Sequence, residues 1–539
     1  MAIELSTITF TEQDDIVPAS GVEEIFNTGI ANALAGNDII TGTSSPNDNN
    51  SSVTNGIHNK GYINPFDPSE FSYPNLNTGD GNDTITGIVL ASVFGNAIEN
   101  ILGTIDTGNG DDIITGINYD YGTGINNEAG TIDTGDGNDI IAGTSTSGRG
   151  IDSRYSTINT GDGNDTITGT SNGWDGILLV NNRIDTGEGD DIVTGTSNAT
   201  DFNRGIWNAE SGSLNTGDGN DIITGTGTSG IWNGGSFNTG DGNDIITGTG
   251  TNGTGIFNNE YGIINGGTIN TGNGEDSIIS HGTFGTFINY GGVFLGDGND
   301  SFTADTALPN RAIENYAFIE AGDGNDIITS TGIIYNQGVI NTGNGQDSII
   351  SHGNLTNRGV VFLEDGNDSL IVDADLPNRA IENFNAIDTG DGDDTITSTG
   401  VIYNEGVINT GNGNDSIIVD GTGTGYGIYN NGGSINTGDG NDSIIAKGGF
   451  ESAPNSSGAW FLGEGEDYIE GFGSGDFYGG NGNDILKLTP GSYTVGISDR
   501  VTLTKGNSLM LASEFEYLIA GSTIYEFASL TEGQTIFVA

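Results

Sequence analysis

A short acidic loop recurs along the chain and is the first candidate for chemistry. One copy reads TGDGNDIIT at 216–224. Gly217 and Gly219 permit a tight turn that aims backbone carbonyls inward, and Asp221 supplies a carboxylate beside them. A ligand set of oxygens without His or Cys suits a hard cation, and a flexible site with several oxygens favours Ca²⁺ over Mg²⁺. The loop therefore predicts a calcium site.

The loop occurs eighteen times, and the last Asp of each copy is the candidate metal ligand. The next copy places Gly240 and Gly242 before its Asp in the same way. The candidate carboxylates are Asp38, Asp83, Asp112, Asp139, Asp165, Asp191, Asp221, Asp244, Asp276, Asp300, Asp326, Asp347, Asp368, Asp394, Asp415, Asp442, Asp467 and Asp484. Their spacing from Asp83 to Asp467 averages about 26 residues. A period of roughly 20 to 50 residues is typical of a solenoid, with one coil per repeat.

Three short strands in each repeat would position the loop. In 215–238 the segment DIIT follows the loop, GIWN comes next, and SFN leads into the following loop, with glycine-rich corners between them. Short runs bounded by glycine are typical of strands. We therefore predict an all-β fold, a right-handed parallel β-helix (β-solenoid) with about 26 residues per coil. The Ile of DIIT and of GIxN would point inward.

The Asn of the GIxN strand also recurs, and it predicts a ladder. Stacked side-chain amides can hydrogen-bond from coil to coil and satisfy buried polar groups. The residues concerned are Asn59, Asn100, Asn208, Asn233, Asn258, Asn315, Asn336, Asn383, Asn404 and Asn430. We interpret them as structural residues with no catalytic role.

Stacking the coils brings the candidate carboxylates close together. Asp221 and Asp244 would lie one coil apart on the same edge, about 4.8 Å from each other. Two like charges at that distance repel by about 0.9 kcal/mol in water and about 3.5 kcal/mol at an effective dielectric constant of 20. One Ca²⁺ in each gap would relieve the whole row and leave the chain acidic. We therefore expect the folded state to need the cation.

The composition excludes several classes of partner. Acidic residues outnumber basic ones 73 to 12 in 539 residues, which gives a net charge of −61, and there is no Cys. Because nucleic acids and anionic membranes are polyanions, we expect neither nucleic-acid binding nor membrane insertion. The first twenty residues lack the basic and apolar regions of a signal peptide, and the first basic residue is Lys60. Any export would use another route.

The loop resembles the calcium-binding nonapeptide of the RTX, or haemolysin-type, family, G-G-x-G-x-D-x-U-x, where U is a large apolar residue. TGDGNDIIT matches it with Thr216 at the first glycine. The resemblance implies bound Ca²⁺, with the sixth-position Asp and loop carbonyls as ligands. It also implies type I secretion through an uncleaved C-terminal signal, with folding in extracellular calcium. Within the family the chain is similar to the oscillin-like surface proteins of cyanobacteria.

The chain departs from the family pattern at several places. Leu34 and Glu364 replace a loop glycine before Asp38 and Asp368, which leaves calcium binding at these two copies open. Tandem loops, which would form an RTX β-roll-like segment, occur only at 463–488. We predict an N-terminal cap at 1–35, a calcium-binding β-solenoid at 36–450, and an RTX-like C-terminal cap carrying the secretion signal at 451–539.

Particular residues suggest three other functions. For a polysaccharide-active enzyme, the sequence offers few candidate catalytic residues. His281 and His352 are copies of each other, Arg311 and Arg379 likewise, and FDPSE at 66–70 resembles the Asp-Pro-His-Glu of alginate epimerases without its His. A Thr ladder (Thr224, Thr226, Thr247 and Thr249) could form a flat ice-binding face, but the pattern breaks in the second half. Outward aromatics could bind glycan or stabilise neighbouring coils: Trp207, Trp232, Phe257, Tyr335, Tyr403 and Tyr429.

A structural role is the interpretation that accounts for most of the sequence. We predict a secreted calcium-binding protein, not an enzyme, that forms a rigid extracellular rod of a surface layer, sheath or filament. It would fold on binding Ca²⁺ and self-associate. The alternative is an adhesin or glycan-binding surface protein whose partner is an extracellular polysaccharide.

Overall fold

In the computed structural model the chain forms two compact units, Met1–Leu295 and Gly296–Ala539. The structure describes residues 3–18, 24–44, 55–63, 71–90, 95–201, 203–209, 211–258, 267–283, 286–307, 310–374, 379–421, 426–453 and 458–539. Two 3₁₀ turns, Leu5–Thr7 and Phe527–Ser529, are the helical segments in this part of the chain, and all other regular structure is strand.

The first unit stacks three strands per coil into three sheets, which we number by their order after each loop. Sheet 1 contains Ile16–Val17, Ile39–Ser44, Thr84–Val89, Ile113–Asn118, Ile140–Ser145, Thr166–Ser171, Ile192–Ser197, Ile222–Gly227, Ile245–Gly250 and Ser277–Gly282. Sheet 2 contains Ile3–Glu4, Ile25–Asn27, Ile57–Lys60, Ile98–Ile101, Ile125–Glu128, Ile151–Arg154, Ile177–Val180, Arg204–Asn208, Ser229–Asn233, Ile256–Asn258 and Phe287–Asn289. Sheet 3 contains Ile30–Asn32, Asn75–Asn77, Thr104–Asp106, Thr131–Asp133, Thr157–Asn159, Arg183–Asp185, Ser213–Asn215, Ser236–Asn238, Thr268–Asn270 and Gly292–Phe294. A small antiparallel hairpin pairs Tyr62–Ile63 with Phe71–Ser72, and the FDPSE segment between its strands lies outside the described residues.

The coils stack in parallel and in register, so equivalent residues of the repeat lie above one another. Ile85 pairs with Ile114, and Gly87 pairs with Gly116. The second Ile of each DIIT segment is the one that enters the core, as with the fully buried Ile223, whereas the first faces outward. A Cβ on Gly116 would lie 2.2 Å from the carbonyl oxygen of Gly124, so sheets 1 and 2 approach each other there too closely for a side chain.

The second unit uses the same three-sheet coil with shorter strands. Sheet 1 contains Ser301–Thr306, Ile327–Ser330, Ser348–Ser351, Ser369–Val372, Thr395–Ser398, Ser416–Val419, Ser443–Ala446, Tyr468–Glu470, Ile485–Leu488, Tyr517–Ala520 and Thr523–Glu526. Sheet 2 contains Arg311–Asn315, Ile333–Asn336, Leu355–Asn357, Arg379–Asn383, Val401–Asn404, Ile428–Asn430 and Phe450–Ser452. Sheet 3 contains Phe318–Glu320, Val339–Asn341, Val360–Phe362, Ala386–Asp388, Val407–Asn409, Ser434–Asn436, Ala459–Gly465, Gly475–Gly482, Gly491–Ile497, Val501–Lys505, Ser508–Ser513 and Thr535–Val538.

At the C-terminal end of the second unit, antiparallel strands replace the parallel three-strand coil. Strand Gly491–Ile497 pairs antiparallel with Val501–Lys505 and with Thr535–Val538. This agrees with the loss of the repeat in the sequence after the last loop. The tandem segment at 463–488 does not give an extra Asp in the row, because Asp476 lies within Gly475–Gly482 and pairs with Arg500 at 2.7 Å.

The predicted Asn ladder is present on the inner side of sheet 2. The amide of Asn208 donates to Asn233 Oδ1 at 2.8 Å, and that of Asn383 donates to Asn404 Oδ1 at 2.9 Å. The ladder also contains three residues outside the predicted set, Asn27, Asn127 and Asn357, of which Asn127 closes a GIxN segment. The side chain of the predicted Asn258 lies outside the described residues. The all-β parallel β-helix predicted from the sequence is therefore confirmed, while the boundaries at residues 35 and 450 remain predictions.

Candidate metal centre

The loop aspartates form one column of buried carboxylates in each unit. All eighteen are at most 2% exposed. Each Oδ1 whose bond is described accepts a hydrogen bond from the backbone N–H of the loop Asp one coil earlier, as from Asp191 to Asp221 and from Asp368 to Asp394, both at 2.8 Å. The distances in the two columns range from 2.6 Å to 3.0 Å. Within each unit the candidate carboxylates therefore lie along one edge of the coils, while their role as metal ligands stays a prediction.

In sixteen of these residues the second carboxylate oxygen has no hydrogen-bond partner among the described residues. The Oδ2 atoms of sixteen loop aspartates are buried and accept no hydrogen bond from the described chain. They belong to Asp38, Asp83, Asp112, Asp139, Asp165, Asp191, Asp221, Asp244, Asp326, Asp347, Asp368, Asp394, Asp415, Asp442, Asp467 and Asp484. A buried anionic oxygen without a donor costs several kcal/mol, and native structures pair such charges or coordinate metals with them. A column of such oxygens fits a row of cations.

The loop glycines stack their carbonyl groups along the same edge. Gly217 and Gly240 have φ values of 85°, in the left-handed region, and Gly219 and Gly242 have values of 152° and 150°. A Cβ on Gly240 would lie 1.9 Å from the carbonyl oxygen of Gly217, and one on Gly242 would lie 1.7 Å from that of Gly219. The carbonyl of each coil therefore occupies the space where the next coil would carry a side chain, which is why both positions favour glycine.

The carboxylate folds back beneath its own loop. In the last copy a Cβ on Gly479 would lie 2.9 Å from Asp484 Oδ2, and one on Gly482 would lie 3.3 Å from Asp484 Oδ1. The Oδ2 atom thus faces the first position of the loop. Carboxylate and carbonyl oxygens are the ligands that Ca²⁺ prefers, so the donor set fits this ion.

Threonine at the first loop position, which departs from the family pattern, links coils through its hydroxyl at several copies, although the hydroxyl of Thr216 has no partner among the described residues. Thr216 and Thr239 are fully buried. The hydroxyl of Thr186 donates to the carbonyl of Thr216 at 3.2 Å, and that of Thr239 donates to the carbonyl of Thr271 at 3.2 Å. A second glycine could not make this bond, which gives a physical reason for threonine here.

Leu34 and Glu364 keep the loop shape although they replace glycine. Their φ values are 76° and 71°, in the left-handed region that side chains avoid. The carboxylates that follow them, Asp38 and Asp368, remain buried in the column. The substitutions therefore strain the loop without removing its oxygen ligands.

Burial raises the pKa of the column carboxyls well above the ordinary value. It raises the pKa of Asp112 and Asp191 to about 8 and that of Asp394 to about 7. The backbone N–H of Asp165 and the hydroxyl of Thr186 lower the pKa of Asp191 and offset only part of this effect. Without a cation, those column carboxyls whose pKa is raised to about 7 or 8 therefore hold protons near neutral pH.

Two residues that the loop pattern missed extend the columns, one in each unit. In the first unit the N–H of Asp15 donates to Asp38 Oδ1 at 2.7 Å, and its carbonyl accepts from Ile39 as the later loop aspartates do with the next strand. In the second unit the N–H of Asp484 donates to Glu516 Oε2 at 2.8 Å. The geometry of the stack identifies both, because TEQDD at 11–15 lacks glycine and Glu516 follows no loop.

No three His, Cys, Asp or Glu side chains converge on one point anywhere in the described ranges. This follows from the architecture, because each coil contributes one inner carboxylate and neighbouring carboxylates belong to different coils. Backbone carbonyls would have to complete any ligand set. Among the same residues no helix is long and apolar enough to cross a membrane.

The three predicted aromatics of the first unit, Trp207, Trp232 and Phe257, face outward on sheet 2 and form a stack. The ring centroids of Trp207 and Trp232 lie 6.4 Å apart, and those of Trp232 and Phe257 lie 4.8 Å apart. The guanidinium of Arg204 lies over both indole rings, 3.9 Å and 4.1 Å from their centroids, and also pairs with Asp175 at 3.7 Å. The cation covers ring surface that a sugar would need for stacking.

The second unit repeats this arrangement. Arg311 lies 3.6 Å from the ring centroid of Tyr335, and Arg379 lies 3.5 Å from that of Tyr403, which stacks on Tyr429 at 5.4 Å. The duplicated arginines therefore have a packing role on the rings.

Of the histidine candidates, His352 lies on the outer face of sheet 1 in the second unit. Its Nδ1 is 2.7 Å from Asp373 Oδ1, and both side chains are exposed. This is an exposed surface pair, which is consistent with a corner residue.

Comparison with known proteins adds little to this description. No protein-family model matches the chain, and no curated protein matches it. Among solved structures, a match is the crystal structure of a hyperactive, Ca²⁺-dependent, β-helical antifreeze protein from an Antarctic bacterium. It has 20% identity and a TM-score of 0.35, and the match covers 68% of this chain and 86% of that one. Identity and TM-score are too low to carry a functional argument, and RTX membership stays a prediction.

Proposed function

We propose that this chain is a calcium-dependent structural β-helix of the cell surface or extracellular space. The observation that carries the proposal is the column of buried Oδ2 atoms without hydrogen-bond donors. A net charge of −61 makes this column costly unless cations occupy it. The carboxylates and the loop carbonyls would hold Ca²⁺, which when bound would neutralise the column and tie adjacent coils together.

Calcium binding would then act as the folding switch. Because the ligands of each ion come from stacked coils, a preformed site does not exist in the unfolded chain, and binding free energy becomes folding free energy. Extracellular calcium is high enough to fill even weak oxygen sites. Membership of the RTX family, type I secretion and self-association into a filament or layer are further parts of this proposal, supported by the loop motif and by the acidic composition.

The test is a calcium titration of the metal-free chain, followed by circular dichroism, with magnesium as the control ion. We expect a cooperative gain of β-structure with calcium and none with magnesium, because the smaller ion demands a rigid octahedral shell. Metal analysis of the dialysed protein should give many bound calcium ions per chain. A chain that is fully β-structured in a chelator at pH 8 would refute the proposal. Light scattering in the same titration would test self-association.

We further propose that the role is non-catalytic and that glycan binding is secondary. The arginines that cover Trp207, Trp232 and Tyr403 support this, since they occupy the ring surfaces on which a sugar would stack. A pull-down with extracellular polysaccharides tests it. Tyr119→Ala is the control, because Tyr119 lies outside the outward stack of Trp207, Trp232 and Phe257. Retention on the polysaccharide that is lost in Trp232→Ala and kept in Tyr119→Ala would make glycan binding the primary function.

A further inference from the structure

The outer surface of sheet 1 in the first unit is a regular array of two residue types. On eight consecutive paired strands, from Ile39–Ser44 to Ile245–Gly250, residues one, three and five of each strand face outward and none of them is buried. We call these positions the Thr/Ile face. They are Ile39, Thr41, Thr43, Thr84, Thr86, Ile88, Ile113, Thr115, Ile117, Ile140, Ala142, Thr144, Thr166, Thr168, Thr170, Ile192, Thr194, Thr196, Ile222, Thr224, Thr226, Ile245, Thr247 and Thr249.

The Thr/Ile face carries no charged residue, although the chain has 73 acidic side chains. Fifteen of its positions are Thr, eight are Ile and one is Ala. Several of the isoleucines are well exposed, for example Ile113 at 38% and Ile140 at 41%. A solvated surface of a strongly acidic protein would ordinarily carry charge, so this composition points to contact with something uncharged.

The array repeats in two directions. Equivalent residues pair strand to strand, as Thr194 does with Thr224 and Thr224 with Thr247, at a spacing of about 4.8 Å. Along a strand, outward side chains recur every second residue, at roughly 6.6 Å. Thr and Ile are β-branched, so their χ1 rotamers are restricted and the methyl and hydroxyl groups are held in place. The side chains therefore repeat as regularly as the backbone.

The composition argues against a protein occupant. Protein interfaces depend on anchors such as Trp, Tyr, Arg and Met, with large side chains that fill pockets. The Thr/Ile face has none of these and no groove-forming pattern. An occupant that matches a flat lattice of small hydroxyl and methyl groups must itself be a lattice with the same repeats. The oxygen rows of hexagonal ice have spacings close to the strand-to-strand spacing and to the spacing of outward side chains along a strand.

We propose that the Thr/Ile face of the first unit binds ice. The methyl groups would order the adjacent water, and the threonine hydroxyls would take lattice positions in it. This function is separate from the calcium column, which lies on the buried edge of the same coils and serves the fold.

The experiment measures thermal hysteresis and ice partitioning of the full calcium-loaded chain, with circular dichroism in the same buffer. The test variant is Thr194→Tyr, whose ring would project from the middle of the face. The matched control is Thr157→Tyr, an outward position on strand Thr157–Asn159 of sheet 3. We expect hysteresis from the native chain, its loss to the buffer baseline in Thr194→Tyr, and no change in Thr157→Tyr.

Each other outcome overturns the proposal. A folded native chain without hysteresis or ice partitioning shows that the face does not bind ice. Equal loss in the two variants shows that the activity lies elsewhere. A native dimer by sedimentation that Thr194→Tyr converts to monomer, without hysteresis, assigns the face to a second copy of the chain.

Discussion

The two units have the same interior edge and different outer faces. In the first unit the outward positions of sheet 1 are Thr, Ile and Ala on eight consecutive strands. In the second unit most strands of this sheet are four residues long. From Ile327–Ser330 to Ser443–Ala446 the outward first and third residues are again Ser, Thr or Ile, and the difference lies at the fifth position, where several strands are followed by a charged or titratable residue. Lys447 pairs with Asp420 at 3.2 Å, and His352 pairs with Asp373 at 2.7 Å. The buried carboxylates, however, continue in both units with the same hydrogen-bond geometry.

The difference separates what the fold needs from what the surface does. The loop Asp recurs in every copy, the loop glycines recur in all but two copies, and a buried apolar residue follows in both units, because a change at any one of them would disturb the neighbouring coils. Outward residues contact only solvent or a ligand, so they can diverge. The shared column therefore points to a common structural role, and the unlike faces point to functions confined to one unit.

Calcium removal should have the largest effect, and it should affect both units. We expect a chelator at pH 8 to remove amide protection from the column throughout the described chain, because unneutralised buried carboxylates repel one another. Hydrogen exchange measured by mass spectrometry would follow the amides of Asp221 and Asp394. Protection that persists in one unit would show that its column folds without the ion and that the two columns do not share a calcium-dependent role.

Lowering the pH should partly replace the ion in the metal-free chain. Burial raises the pKa of Asp112 to about 8 and that of Asp368 to about 7, so the folded column binds protons that the unfolded chain has already released. Protons therefore favour the fold at low pH, and this contribution is lost as the pH rises through about 6 to 8. We expect the metal-free urea midpoint to be higher at pH 5 than at pH 8.

The calcium-loaded chain is the control for this titration. Protons compete with Ca²⁺ for the same oxygens, so its stability should not fall between pH 5 and pH 8. A metal-free chain that becomes more stable as the pH rises would contradict the assignment of buried, protonated carboxyls.

Replacing one column Asp should change stability only locally, and the change should have opposite signs in the calcium-loaded and the metal-free chain. Asp221→Asn keeps the Oδ1 acceptor but removes the charge, so we expect a local loss of about 2 kcal/mol in calcium and a small gain in chelator. Asp394→Asn should behave alike in the second unit. Hydrogen exchange of the donor amides, Asp191 and Asp368, measures both effects.

The exposed aspartates of the same loops are the matched controls. Asp218 and Asp391 lie on the outer side of their loops, where they accept bonds from Asp241 and Asn412. Their replacement by Asn should change local stability by less than about 0.5 kcal/mol in either condition. An effect equal to that of the column variants would mean that the ion does not bind at the inner oxygens.

Much of this interior could be predicted from the sequence because its constraints are periodic. A loop repeated eighteen times fixed the coil, the three strands and the carboxylate column, including the inward Ile of GIxN such as Ile231. Asp15 and Glu516 were missed because they take part through coil geometry without the loop motif. The charge-free extent of the Thr/Ile face was missed because it depends on which strands pair in register, and two Thr-Gly-Thr copies alone did not define it.

The smallest expected effect concerns the two loops that lack a glycine, one in each unit. Leu34 and Glu364 adopt left-handed φ values of 76° and 71°, which cost roughly 1 kcal/mol each for a residue with a side chain. We expect Leu34→Gly and Glu364→Gly to raise local stability in calcium by up to about 1 kcal/mol, reduced by the greater freedom of glycine in the unfolded chain. Gly217→Ala is the reverse control, since its Cβ would lie 1.6 Å from the carbonyl oxygen of Gly187. It should destabilise the coil, and a gain there would show that the loops do not need the close carbonyl stacking on which the shared column depends.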